Sequence, residues 1–375
     1  MAAVLVLGVL VACHATPPQA PGHPVLRLAF LRDFNPQRTP AANALAPSWG
    51  AAALGGLSGL SYAESSRTLY GVSDNCSRGP ARIYSFEVEL SATRFRVEPR
   101  SVLPLRDTRG TGALDLCDGE SLAADPAGGF FIGTENHDNE PGMRFPSILR
   151  VTQEGLITGS LPLPEALLPE ADGPHTRGTR DNGAFEGLSV SPSGRWLSAI
   201  TETALQQDGP DASFEQGTIV RLLRWDLAQP GPPEQFRYAA EPVPRPAGGV
   251  ADLEGGNGVS ELLSLDDQRL LVLERAYVAP PHVHGVNTIR IFEVTLPSAR
   301  PAAVTDAIPL LPKRLVLDLD EILPQLQPGQ QTLDNLEGMA FGPRLPSGER
   351  TLLLVSDDNF NPAQRTTFLA FRLLE

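Results

Sequence analysis

The chain has 375 residues, with 44 Asp and Glu against 30 Lys and Arg, for a formal charge of −14 at neutral pH. That balance repels nucleic acid and anionic headgroups at long range, so a nucleic-acid partner is excluded, whereas a phosphorylated small molecule stays admissible if cations lie between the two. With 36 Pro, 35 Gly and no long apolar stretch of helical period, the composition speaks for strands and turns.

Residues 1–12 are uninterrupted small and apolar side chains, too short to span a bilayer, and read as a signal peptide. Leu10-Val11-Ala12-Cys13 is similar to the lipobox of bacterial lipoproteins, although no Lys or Arg precedes the apolar run. Cys13 is the expected lipidation site and residues 13–24 a Pro-rich tether, which predicts a periplasmic or outer-membrane bacterial lipoprotein; a cleaved, exported form without lipid is the alternative. Beyond that anchor no membrane contact is expected, and the mature chain is expected to be a monomer with residues 25–375 as one domain.

Val25–Phe34 reads as a strand. A repeated phrase then follows, a short Gly/Ser/Glu–Leu motif with an apolar run ending in an acidic residue. Its copies are SGLSYAESSRTLYGVSDN from Ser58, GESLAADPAGGFFIGTEN from Gly119, EGLSVSPSGRWLSAITET from Glu186, SELLSLDDQRLLVLER from Ser260 and EGMAFGPRLPSGERTLLLVSDDN from Glu337. Each describes a hairpin, and further strands follow it: Arg82–Leu90 and Arg94–Leu105 after the first, Thr218–Leu227 and Glu234–Pro242 after the third. Pro162–Asp181 reads as a surface insertion with one helical turn at Glu165–Leu168. The last copy has only Thr367–Leu374 after its hairpin, so the N-terminal strand is expected to complete it and close the ring. The fold predicted is all-β, a β-propeller of four-stranded blades, five by repeat count with a sixth left open; a solenoid is the alternative.

In a hairpin the start of the first strand lies beside the end of the second, so all copies bring their ends to one rim. Glu120 is expected to meet Glu135, Glu186 to meet Glu202, Glu337 to meet Asp357 and Asp358, Asp74 to oppose Ser58, and Glu274 to lie near Ser260 and Glu261. Such an oxygen-rich set suits Ca²⁺ or Mg²⁺, and Glu120, Glu135, Glu186, Glu202, Glu337 and Asp357 are the candidate ligands, with Asn75, Asn136, Asn182, Asn257, Asn335 and Asn359 beside them. The alternative is that these side chains only bond turn backbones. His137 is a candidate base, with Glu186 and Glu337 the other catalytic candidates; His282 and His284 fall in a loop after Glu274. Arg78, Arg144, Arg180, Arg275 and Arg365 are candidate ligands for phosphate or carboxylate oxygens. Cys76 and Cys117 fall on one rim and stand either as a disulfide or as two thiols. Zinc-type Cys spacing, G-x-S-x-G, H-E-x-x-H and a P-loop are all missing.

The run FEGLSVSPSGRWL from Phe185, preceded by Asn182-Gly183, the segments DNLEGMAFGP and TLLLVSDDNFNPAQRTTFLAF between Asp334 and Phe371, and the opening GLSGLSY with GVSDN resemble the bacterial "esterase-like activity of phytase" family. The resemblance implies a secreted or envelope propeller with esterase or phosphoesterase activity. Propeller phytases are calcium-dependent and six-bladed, which is why a sixth blade stays open. No run of Lys and Arg suits a highly phosphorylated inositol. The function predicted is metal-dependent hydrolysis of an ester or phosphoester at the acidic mouth; the alternatives are a non-catalytic binding propeller and a lactonase.

Overall fold

The computed structural model describes residues 25–36, 54–74, 80–108, 118–136, 145–170, 175–229, 231–246, 252–280, 285–297, 308–328 and 332–375. They form five four-stranded antiparallel sheets around an axis, a five-bladed β-propeller. After the N-terminal strand β1 (Arg27–Phe34), blade 1 holds β2 (Leu57–Ala63), β3 (Thr68–Ser73), β4 (Arg82–Leu90) and β5 (Phe95–Pro104). Blade 2 holds β6 (Gly119–Ala124), β7 (Phe130–Thr134), β8 (Ser147–Val151) and β9 (Ile157–Ser160). Blade 3 holds β10 (Phe185–Val190), β11 (Trp196–Thr201), β12 (Thr218–Asp226) and β13 (Glu234–Ala240). Blade 4 holds β14 (Glu254–Ser264), β15 (Arg269–Ala279), β16 (Val286–Thr295) and β17 (Lys313–Asp318). Blade 5 takes β18 (Asn335–Gly342), β19 (Thr351–Asp357) and β20 (Phe368–Leu374) from the C-terminus and β1 (Arg27–Phe34) from the N-terminus.

The closure follows the expected geometry. β1 pairs antiparallel with β20, from Arg27 opposite Leu374 to Phe34 opposite Phe368, so the outermost strand of the last blade comes from the far end of the chain. The expected helical turn is a short 3₁₀ helix at Glu165–Leu167, and a second, at Leu319–Gln325, starts at Asp318, whose side chain accepts from Asp320 N–H.

Burial explains why these segments form strands. Second strands are covered on both faces, and β19 (TLLLVSD) is buried at every residue, so it reads as a continuous apolar run. Outer strands alternate; β5 (FRVEPRSVLP) buries Phe95, Val97 and Pro99 between exposed Arg96 and Arg100. Apolar side chains fill the spaces between neighbouring blades: Val72, Ile83, Leu122 and Phe130 lie between blades 1 and 2, and Leu57, Phe86, Leu353 and Phe368 between blades 5 and 1. The ring is held by face-to-face sheet packing rather than by strand pairing across blades.

Candidate acidic site at the mouth of the ring

The first strand of each blade is interrupted by a bulge at the same place. The register skips Ser58 in β2, Glu120 in β6, Glu186 in β10, Ser260 in β14 and Glu337 in β18. A bulged residue is unpaired and its side chain re-aimed. Here the bulges gather three glutamates and two serines at one end of the channel. The ends of the second strands supply a further layer: Asp74 follows β3, Glu135 follows β7, Glu202 follows β11, Arg275 lies in β15, and Asp357 ends β19.

The two layers make one cluster. Carboxylate oxygens of Asp118, Glu120 and Glu135 lie within 4.8 Å of one another, as do those of Glu135, Glu186 and Glu202, so Glu135 belongs to both triads. Glu120, Glu135, Glu186 and Asp357 are buried. Glu135 Oε1 accepts from Ala184 N–H (2.9 Å), and Glu337 accepts from Ser58 Oγ–H (3.0 Å) and Asn335 Nδ2–H (2.7 Å). Asp357 accepts from Asn359 N–H (2.9 Å), but its Oδ2 and Glu186 Oε2 are buried without a hydrogen-bond partner. Arg275 stands where four other blades place an acid; its guanidinium lies 3.6 Å from Glu202 and 3.5 Å from Glu337.

Charge is therefore unevenly compensated. Arg275 serves the Glu202–Glu337 side, while the Asp118–Glu120–Glu135–Glu186 side has like-charged neighbours. Burial, then Glu186 and Glu135, holds the Glu120 carboxyl well above its usual range. Burial and then Glu202 do the same to Glu135 and to Glu186. Glu202 rises to about 7 by burial, against the pull of Arg275; Asp74 rises to about 7 by burial and then Glu337; Asp357 rises to about 9 by burial and then Glu337. Such a cluster is satisfied by protons or by a cation. Asp118 adds a second mark of a built site, since it holds φ at +101°, a conformation costly for a non-glycine residue.

The six expected metal ligands all reach this mouth. Asp118, which no motif singled out, joins them; it precedes the repeat phrase by one residue, and its carbonyl accepts from Glu135 N–H (3.3 Å) at the end of the strand pair. Glu274 lies near Ser260 in the strand pair, as expected, but its side chain leaves the mouth. It pairs with Val259 and turns to Tyr238 Oη, Asn257 Nδ2 (3.0 Å) and Lys313 Nζ (2.7 Å), leaving the mouth to Arg275. Asp358 is likewise engaged away from the mouth, accepting from the backbone of Gly56 (N–H, 3.1 Å) and the hydroxyl of Thr366 (Oγ1–H, 3.0 Å). Arg180 is engaged by Ala204 O, Gln206 Oε1, Gly209 O and Asp211. Arg365 is exposed on the rim of a cavity of about 130 Å³ with Asp334 and Leu326. Among the asparagines, Asn136 accepts from Thr179 Oγ1–H (2.7 Å), and Asn182 N–H donates to Asn136 O (3.1 Å). Cys13, Asn75, Cys76, Arg78, Cys117, His137, Arg144, His282 and His284 lie outside the described residues.

A larger cavity, about 1240 Å³, opens at the other end of the ring, where the hairpins turn; it is lined by Leu60, Tyr62, Leu122, Leu188, Met339 and Arg350, among others. Size alone would favour it. The unpartnered buried oxygens of Glu186 and Asp357 lie at the acidic mouth, and chemistry needs such groups, so the candidate site is placed there.

The sequence family described as phytase-like, "esterase-like activity of phytase", matches residues 52–360. The chain belongs to this family. Membership supports a hydrolase-type propeller. No curated protein matches the chain. Among solved structures the chain is similar to the periplasmic gluconolactonase PpgL of Pseudomonas aeruginosa, at 16% identity and a TM-score of 0.35, over 85% of this chain and 88% of that one. It is also similar to the N-terminal domain of Nup159, at 11% identity and a TM-score of 0.31, over 93% of this chain and 96% of that one. Likenesses of this strength carry no argument about function.

Proposed function

We propose that the protein is an exported, metal-dependent hydrolase of esters, phosphoric before carboxylic, working at the acidic mouth. The observation that carries the reading is the pair of carboxylate triads sharing Glu135, with Glu186 Oε2 buried and unpartnered. An all-oxygen, flexible and strongly anionic donor set suits Ca²⁺, with Mg²⁺ second. Asp118, Glu120, Glu135, Glu186 and Glu202 would hold the cation. When bound, the ion supplies Lewis-acid polarisation of the ester oxygen and a water of lowered pKa.

The chain's own residues do the rest. Glu337 and Asp357 face the opposite side of the mouth, where Glu337 fixes Arg275. Arg275, whose guanidinium lies between Glu202 and Glu337, would offer its positive charge to an anionic oxygen of the substrate. That favours a phosphoester or another ester carrying negative charge. His137, next in the chain after Asn136, is the candidate base. For localisation we propose an envelope lipoprotein anchored at Cys13: β1 starts at Arg27 on the face opposite the mouth, so a membrane tether leaving there would present the mouth to solvent.

The test is hydrolysis of p-nitrophenyl phosphate, its bis-ester, a short acyl ester and a lactone, with Ca²⁺ and then with chelator. Turnover of a phosphoester that stops on chelation and returns with Ca²⁺ supports the reading. Turnover indifferent to chelation overturns the metal assignment. No turnover of any of these esters with Ca²⁺ bound favours a non-catalytic binding propeller.

A further inference from the structure

One residue inward from the five bulges, the inner strands carry Gly59, Ser121, Gly187, Glu261 and Gly338. Two of the glycines answer to close approach of the next blade. A Cβ on Gly59 would lie 2.7 Å from Leu122 N, and one on Gly187 would lie 2.6 Å from Leu262 N. Blade 4 alone places a long, ionisable side chain at this level. Glu261 is 0% exposed, and the chemistry of the mouth makes no use of it.

Its carboxyl group is surrounded by backbone amides. Oε1 accepts from Leu188 N–H of blade 3 (3.0 Å) and from Leu262 N–H of its own blade (2.9 Å). The amides of Met339 in blade 5 and Leu60 in blade 1 stand against the same group, while Oε2 closes no hydrogen bond of ordinary geometry. Four different blades thus turn an inner-strand N–H towards one side chain, which requires that it lie near the axis of the ring. The four donors are equivalent residues, each two beyond its blade's bulge, and their side chains point instead into the spaces between blades. Convergent backbone N–H groups make an oxyanion or carboxylate cradle wherever they occur.

We propose that these amides form an axial carboxylate-binding site whose resident ligand is Glu261 itself, closing the channel between the acidic mouth and the cavity at the opposite end. Emptied of that side chain, the site takes a small monocarboxylate such as formate or acetate. The sheet does not require the glutamate, since the other blades manage with Gly or Ser at the same position.

The test is thermal unfolding of E261A and E261S in chelator, with chloride exchanged for formate or acetate at constant ionic strength. Both variants are expected to melt below the parent in chloride and to recover by a few degrees, saturably, in formate. The parent is expected to show no such response, and so is E261Q, whose side chain fills the cradle. A folded E261A and E261S without a saturable formate response overturn the proposal, and so does an equal response in the parent. Should neither variant fold on expression, refolding yield in formate against chloride reads the same question, and equal yields overturn it.

Discussion

Stripping divalent ions from the protein and raising the pH is expected to weaken the fold steeply. Glu202 ionises at about 7 within the fold against an ordinary 4.5, and at about 1.4 kcal/mol per pH unit its ionisation inside the fold costs roughly 3 kcal/mol. Asp357, displaced from 3.8 to about 9, has the larger penalty. The repulsions overlap, because Glu337 presses on both, so the costs do not add. A carboxyl whose folded pKa is raised contributes stability that is fully present below its unfolded pKa and is lost as pH climbs through the folded value. The window therefore runs from about pH 3.8, where Asp357 ordinarily ionises, to about 9, with the Glu202 part between about 4.5 and 7. A loss of several kcal/mol is a large part of the roughly 5–15 kcal/mol that holds a domain together. Differential scanning calorimetry in chelator should show the melting temperature falling through that window. With Ca²⁺ present the fall should shrink, since the ion binds Glu202 and its ionised neighbours and releases their protons, leaving the part that belongs to Asp357. A melting temperature in chelator that is flat or rises from pH 5 to 9 would refute the electrostatic reasoning.

Three further outcomes follow from single side chains. Glu186→Gln removes the charge of the unpartnered oxygen; the chelated protein should gain about 1–2 kcal/mol while Ca²⁺ affinity by calorimetry falls at least ~10-fold. Arg275→Gln takes away the cation between Glu202 and Glu337 and should cost the chelated protein about 3 kcal/mol in urea unfolding, with loss of turnover but retention of Ca²⁺ binding. Lys313→Met leaves Glu274 buried without its cation; urea unfolding should show a loss of about 3 kcal/mol, whereas Ca²⁺ affinity should stay at the parental value, because Glu274 faces Tyr238 rather than the mouth.

The ring was legible because each blade repeats one hairpin whose second strand is buried on both faces and so reads as an unbroken apolar run, LLLV in β19 and LLVL in β15. The closing strand was legible from the deficit in the last repeat. Side-chain direction at the mouth was harder to read. Strict alternation places Glu261 beside Glu274, but the bulge at Ser260 changes the parity of the strand, which sends Glu261 to the axis and gives Arg275 the rim. Asp118 was invisible because it falls just outside the repeat phrase, at a strand-end position opposite Glu135 where blades 1 and 3 carry Gly56 and Ala184. Arg180 shows the same limit for loops, where proximity in the chain to a rim motif says nothing about the backbone carbonyls and carboxylates that engage a guanidinium.

The central claim is that cation and catalysis share one acidic site, and turnover of a phosphoester by the parent and by Glu186→Gln, each measured across a Ca²⁺ titration, tests it most directly. The account predicts that parental activity rises and saturates with Ca²⁺, and that the variant needs at least ~10-fold more Ca²⁺ and reaches a lower plateau. Identical titrations for the two proteins would contradict it.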